Sequence, residues 1–280
     1  MIARPATPDD LPAIRAVAAA HGDVFEEGRP DHVGHELAHG QLAVAQDEET
    51  IVGYGGELNR SGVSYLADLF VHPDRLGLGA GSAIMRQLYP DPAMGQRFTY
   101  ASSDPRAISL YVRFGMRPLT PLLYLVGDPT ASGRLPEPSV RLVPGDERDM
   151  VALDASAFGR PRPQDLEFLV ARGSQFLVAM DGASPVGYGF VRQAPHGGVD
   201  AALLNPTGAM DPQGLTVTVF ALLRHAAGLA PAIYVGLLGE FPGLAEVLAA
   251  GFRIHDRDSY MATRPDLVDG TRYAPSPVIG

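Results

Sequence analysis

The clearest chemical signal in this chain is the run Arg75-Leu76-Gly77-Leu78-Gly79-Ala80-Gly81-Ser82. An apolar stretch, Tyr65 to Val71, leads into it, and a helix-like stretch, Ser82 to Leu88, leads out. Glycines at alternate positions let the backbone turn sharply and approach a ligand closely. The helix start adds unpaired N–H groups and the positive end of its dipole. That combination suits a phosphate or pyrophosphate. A P-loop is excluded, because its lysine is missing and all 22 basic residues are arginine. A dinucleotide fingerprint would start at Gly77 and Gly79 but end at Ser82. Its loop also belongs after the first strand of a domain, whereas this one follows the fourth expected strand.

The elements that must hold this loop are legible from pattern. With 280 residues the chain has room for one large domain or two smaller ones, each with a core. Hydrophobic residues make up 46% of it, and no apolar stretch reaches the ~20 residues that span a bilayer. The start, Met1-Ile2-Ala3-Arg4-Pro5, lacks the apolar core of a signal peptide, so the expectation is a cytoplasmic protein with no membrane partner. A net charge of −10 disfavours nucleic acid and suits a cationic small substrate better. The absence of cysteine excludes a thiol nucleophile and cysteine-bound zinc.

Two halves resemble each other. Val52-Gly53-Tyr54-Gly55 recurs as Val186-Gly187-Tyr188-Gly189, Arg4 with Asp9 as Arg141 with Asp146, and Gly115 as Gly251, at separations of 134, 137 and 136 residues. Such common spacing predicts a duplicated unit of about 130 residues. The Pro- and Gly-rich stretch 128–138 reads as a linker, giving a first domain at 1–127 and a second at 139–280. The first half reads as a short strand, helices at 7–21 and 31–39, strands at 42–46, 51–58 and 63–71, the glycine loop and its helix, a strand at 97–102, a helix at 105–114 and a strand at 119–126. The second half follows the same order, with strands at 176–180, 186–192, 199–204, 233–238 and 259–263. The fold class is therefore mixed α/β in two tandem units, each a sheet flanked by helices.

In this setting the chain resembles the GNAT superfamily of N-acyltransferases. The family pattern is a strand, then (Q/R)-x-x-G-x-(G/A), then a helix. Gly79 and Gly81 match its small positions, and Leu76 stands where Gln or Arg is usual. Asp104-Pro105-Arg106-Ala107-Ile108-Ser109-Leu110-Tyr111-Val112-Arg113-Phe114-Gly115-Met116 resembles the second motif, N-x-x-A-x-x-L-Y-x-x-x-G-F, with Asp and Met replacing Asn and Phe. The resemblance implies acetyl-CoA as acyl donor, held by Leu69, Phe70 and Val71 of a splayed strand, by Arg75 to Ser82 (Arg75, Leu76, Gly77, Leu78, Gly79, Ala80, Gly81, Ser82), and by Asp104, Ala107 and Tyr111. It also implies N-acetyl transfer to a primary amine of a small molecule, with Tyr111 as general acid to the departing thiolate. Asp68 or Glu57 would take the amine proton, and Glu26, Glu27, Glu57 and Asp68 would line the acceptor side. A non-catalytic acyl-CoA sensor or assembly module is the rival reading.

The second half keeps neither motif. Val247 falls at the place of Tyr111, and no alternating glycines precede its helix, so one active site is expected, in the first half. His21, His32, His35 and His39 have no metal-binding pattern and read as surface or capping residues. The apolar tail Tyr273 to Gly280 is expected to dock on the body, or on a neighbouring copy in a homodimer, or to stay partly ordered.

Overall fold

A two-residue turn, Glu48-Glu49, with Glu48 at φ +56°, folds residues 41–60 into a hairpin from which the first sheet grows. The computed structural model describes residues 1–280. They form two units. Unit 1 is Met1–Pro118 with Met261–Leu267 and Pro277–Gly280; unit 2 is Leu119–Tyr260 with Val268–Ser276.

Unit 1 contains β1 (Ile2–Pro5), α1 (Leu11–Ala19), α2 (His32–His39), β2 (Gln41–Asp47), β3 (Thr50–Arg60), β4 (Val63–Val71), α3 (Ala80–Leu88), β5 (Gln96–Ala101) and α4 (Pro105–Arg113). The strands lie in that order, antiparallel except for the parallel pair β4–β5. Both faces are covered. Ile14, Val17 and Val33 of α1 and α2 pack with Val44 and Tyr54 on one face. Ile84, Met85, Leu110 and Tyr111 of α3 and α4 pack with Ala45, Leu66 and Ala101 on the other. The start of the chain is fastened by Asp10, whose carboxylate accepts from Arg4 Nη1 and Nη2 at 2.7 and 2.8 Å and from the Thr7 N–H at 2.7 Å. Those bonds, led by that to Arg4, hold the Asp10 carboxyl well below the usual carboxylate range.

Unit 2 contains β6 (Arg117–Gly127, entering from the end of unit 1), α5 (Pro129–Gly133), β7 (Arg141–Pro144), α6 (Glu147–Phe158), α7 (Pro163–Ala171), β8 (Gln175–Asp181), β9 (Ser184–His196), β10 (Val199–Ala209), α8 (Pro212–Ala226), β11 (Ala232–Leu238), α9 (Leu244–Ala249), β12 (Arg253–Ala262, whose last two residues belong to unit 1) and β13 (Tyr273–Ala274). The strand order is β12-β6-β11-β10-β9-β8-β7, with β13 on β10. β10–β11 is parallel, and β6–β11, β9–β10, β8–β9 and β7–β8 are antiparallel. The mixed α/β class and mostly antiparallel sheets agree with the sequence pattern.

The boundaries differ from those the composition predicts. Residues 128–138 do not form a free linker. Asp128 caps α5 by accepting from the Ala131 N–H at 2.8 Å, and Ala131 and Leu135 enter the unit 2 core. Three small residues, Ala131, Ser132 and Gly133, let this Pro-rich piece pack closely. The strand at 119–126 pairs with β11 and so falls in unit 2. Unit 1 instead draws in 261–267, where the Thr263 N–H donates to the Arg97 carbonyl at 2.9 Å. The tail is ordered. Residues 273–274 form β13, and Ile279 is buried in unit 1.

Candidate active site

Strands β4 and β5 part after Tyr65, ahead of the glycine loop. They are in register only from Val63↔Gln96 to Tyr65↔Phe98; beyond that the Thr99 hydroxyl reaches across to donate to the Leu66 carbonyl at 2.8 Å. Ala67 is an extra residue, because Gly56 faces Asp68 and Glu57 faces Leu66. The bulge turns Leu69 and Val71 toward α3 and puts Asp68 and Phe70 on the α1–α2 face. The open edge of β4 at Leu69–Val71 then runs toward α3.

The start of α3 is built for an anion. Gly79 is its N-cap in the left-handed region, φ +90°, and offers no side chain to the first turn. Nothing lies within 4 Å of the position a Cβ would take at Gly79 or Gly77. The N–H groups of Ala80, Gly81 and Ser82 therefore begin the helix without a side-chain cap, and Leu76 and Leu78 are exposed beside them. Arg75 pairs with Asp47 at 3.2 Å on the surface. Asp104 is the N-cap of α4, accepting from the Arg106 N–H at 2.8 Å and pairing with its guanidinium, whose hydrogen bonds lower its pKa. Ala107 and Tyr111 follow on α4, with Tyr111 buried in the cluster that holds Leu66, Ile84 and Ala101.

The acidic candidates separate. Glu57 is buried on the α3 face, accepting from Gln41 Nε2 at 2.9 Å and from the Ser64 hydroxyl, beside Tyr89 and Arg97. Burial pushes its pKa up against those hydrogen bonds. Glu26 pairs with Arg29 at 3.4 Å, and Glu27 is exposed. Asp68 lies beside a histidine and a second buried carboxyl group. Its Oδ2 lies 3.3 Å from His32 Nε2, which is itself 3.6 Å from Asp23 Oδ2 and stacks on Phe25. Behind Asp68 stands Glu36 of α2, fully buried, with Tyr54 facing the pair. On the same face the tail is fixed: the Tyr65 hydroxyl donates to the Pro277 carbonyl at 2.5 Å, and Gly280 rests on Tyr65 and Phe98.

His32, Asp23, Tyr54 and Glu36 were not singled out for this site from sequence. One signal was present. On α2, Val33 and Leu37 point to the core, and Glu36, three residues after Val33, is a charge on the same apolar stripe.

Unit 2 carries the same frame, with the corresponding strand edge and helix start occupied by its own groups. Gly187↔Ala209 and Gly189↔Thr207 repeat Gly53↔Val71 and Gly55↔Leu69, so Thr207 and Ala209 stand where Leu69 and Val71 stand. There β10 leaves β11 after Leu204↔Val235, and β13 pairs with the freed edge. The Ala209 N–H donates to the Arg272 carbonyl at 2.9 Å. At the start of α8, the Asp211 carboxylate accepts from the Gly214 N–H at 2.7 Å, and Pro212 has no N–H to offer.

Residues 14–116 match the model of the acetyltransferase (GNAT) family. Unit 1 carries a GNAT acetyltransferase domain. A curated relative, the mycothiol acetyltransferase of Amycolatopsis mediterranei (strain U-32), is 32% identical over 148 residues; the match takes in 47% of this chain and 48% of that protein, about half the length of each. Among solved structures, a candidate acetyltransferase from Pyrococcus horikoshii aligns over 100% of this chain and 95% of its own at a TM-score of 0.72 and 17% identity. A tandem GNAT protein from the clavulanic acid biosynthesis pathway aligns over 94% of this chain and 99% of its own, at 0.61 and 18%. The tandem GNAT fold thus extends through both units. No helix of the chain is long and apolar enough to cross a membrane.

Proposed function

We propose that unit 1 transfers an acetyl group from acetyl-CoA to a primary amine of a small molecule, and that unit 2 binds no coenzyme. The observation that carries this reading is the contrast between two helix starts on one frame. Gly79 leaves α3 open to a pyrophosphate, whereas Asp211 supplies α8 with its own anion.

Acetyl-CoA, when bound, supplies a thioester as the acyl donor. The N–H groups of Ala80, Gly81 and Ser82 would hold its pyrophosphate, and the open edge of β4 at Leu69–Val71 its pantetheine arm. Asp68 accepts the proton that the amine nitrogen loses as it bonds to the acyl carbon. Tyr111 gives its phenolic proton to the sulfur as the carbon–sulfur bond breaks. Residues on α4 and α3 keep Tyr111 out of bulk water. The second unit serves as scaffold.

Calorimetric titration with coenzyme A, paired with thiol release from acetyl-CoA across a panel of amines, tests the reading. One equivalent bound per chain and thiol release with at least one amine class are expected. Binding without turnover on any amine would favour the acyl-CoA sensor, and two equivalents would overturn the one-site assignment.

A further inference from the structure

We propose that Glu36 is a positioning residue: holding a proton, it fixes the Asp68 carboxylate beside His32 so that Asp68 can accept the proton of the acceptor amine. This rests on the role given to Asp68 above.

The geometry leaves Glu36 one arrangement. Its side chain reaches from α2 onto the backbone of β3 at Gly56, where a Cβ would lie 1.8 Å from its Oε2. The absence of a side chain at Gly56 is what admits the carboxyl group. The residue is 1% exposed, and neither of its oxygens receives a hydrogen bond from a donor. A buried carboxylate with no donor is costly, so the group keeps its proton. The acceptor within hydrogen-bond reach is Asp68. A proton on Glu36 turns two facing acceptors into a donor and an acceptor.

The surrounding charges favour the same state. From β4 comes Asp68 and from β3 Tyr54; Asp23 lies in the loop after α1, and Asp31 caps α2. Arg15 of α1 is paired with Asp31 at 2.8 Å, and His32 of α2 with Asp68 and Asp23. Burial, and then the negative charge of Asp68, raise the Glu36 pKa well above the ordinary carboxyl range. In the transfer, the carbon–nitrogen bond forms as the carbon–sulfur bond breaks. The amine proton passes to Asp68 and the Tyr111 proton to sulfur, while Glu36 keeps its own.

Infrared difference spectra of the full chain against Glu36→Gln provide a test that needs no acceptor. The carbonyl stretch of a protonated carboxyl group should be present in the wild type at neutral pH and missing from the variant. With an active amine, Glu36→Gln, which retains an N–H donor toward Asp68, should keep kcat within about twofold. Glu36→Leu, which has no donor, should lose kcat about tenfold or more and move the acid limb of the pH–rate profile upward by about one to two units. Its coenzyme A affinity should be unchanged, which also certifies its fold. A wild type without the protonated-carboxyl band overturns the proposal, as does a Glu36→Leu profile that superimposes on the wild type. Asp68→Asn separates the two readings. If it is inactive while the band is absent, only the role of Glu36 fails; if it is fully active while the band is present, the role of Asp68 fails and this proposal with it.

Discussion

At the scale of the residue, the site is a matter of which protons can move and which cannot. Glu36 has a raised pKa in the folded protein and an ordinary one, near 4.5, when unfolded. Above about pH 4.5 the unfolded chain releases this proton and the folded chain keeps it, so stability falls as pH rises through that window, by up to ~1.4 kcal/mol per pH unit for this one group. Chemical denaturation of wild type and Glu36→Gln across pH should show the difference, with the variant gaining on the wild type from about pH 5 upward. Asp10 works in the opposite sense. Its depressed pKa gives stability that is present above the ordinary carboxyl range and lost as pH falls below it, so Asp10→Asn should flatten the acid side of the same curve. Tyr111 is a third kind of residue, buried, and in the proposed mechanism it gives its proton to the departing thiolate. Tyr111→Phe keeps its packing and should lower kcat about a hundredfold, with little change in the KM for acetyl-CoA. An unchanged kcat would remove Tyr111 from the chemistry.

At the scale of the element, the proposed anion site rests on one residue at a helix start, Gly79 in α3 against Asp211 in α8. Gly79→Asp would place a carboxylate at the start of α3, where α8 has Asp211. At φ +90° any side chain is strained, so Gly79→Ala, which carries that strain without the charge, is the control. Coenzyme A affinity should drop at least tenfold below that of Gly79→Ala, read by calorimetry. A variant that binds as tightly as the wild type would show that the pyrophosphate contacts lie elsewhere. The elements themselves were largely legible from the sequence. The strand at 63–71 and the helix at 147–158 have the boundaries their patterns predict, because apolar periodicity and caps act locally. The glycine loop was legible for the same reason. What was not legible depended on partners far away in sequence. Glu57 looked like a base but faces Gln41 and Ser64, since a single bulged residue, Ala67, sets which face each acid takes. Glu36 lay unread on its helix because its meaning comes from Gly56 and Asp68. The stretch 128–138 has the composition of a linker, yet a good N-cap and three small residues make it a packed helix turn.

At the scale of the whole molecule, the two units differ in what covers the edge after the central strand, and in unit 2 it is the tail. β13 is only two residues long, too short to be held by strand pairing alone. It is held through Tyr273. The ring sits 5.0 Å from Phe158, and its hydroxyl meets Arg162 Nη2 at 2.5 Å. Arg162 is in turn bound to Asp154 at 2.8 and 2.9 Å, and the Tyr188 hydroxyl donates to the same carboxylate at 2.6 Å. Both charged groups are fully buried, so each depends on the other and on the two phenols for the solvation it has lost. Tyr273→Ala removes a large buried side chain and one partner of that network. It should cost about 3–5 kcal/mol, seen as a lower denaturation midpoint of unit 2. The same variant tests the proposal that unit 2 binds no coenzyme. If β13 were the sole barrier, freeing the β10 edge would create a second coenzyme site. The helix start argues otherwise, because Asp211 would still hold the Gly214 N–H and Pro212 would still lack one. Calorimetry on Tyr273→Ala should therefore give one equivalent of coenzyme A per chain, with the wild-type affinity. A second equivalent would mean that the strand, and not the helix cap, is what keeps unit 2 empty of coenzyme.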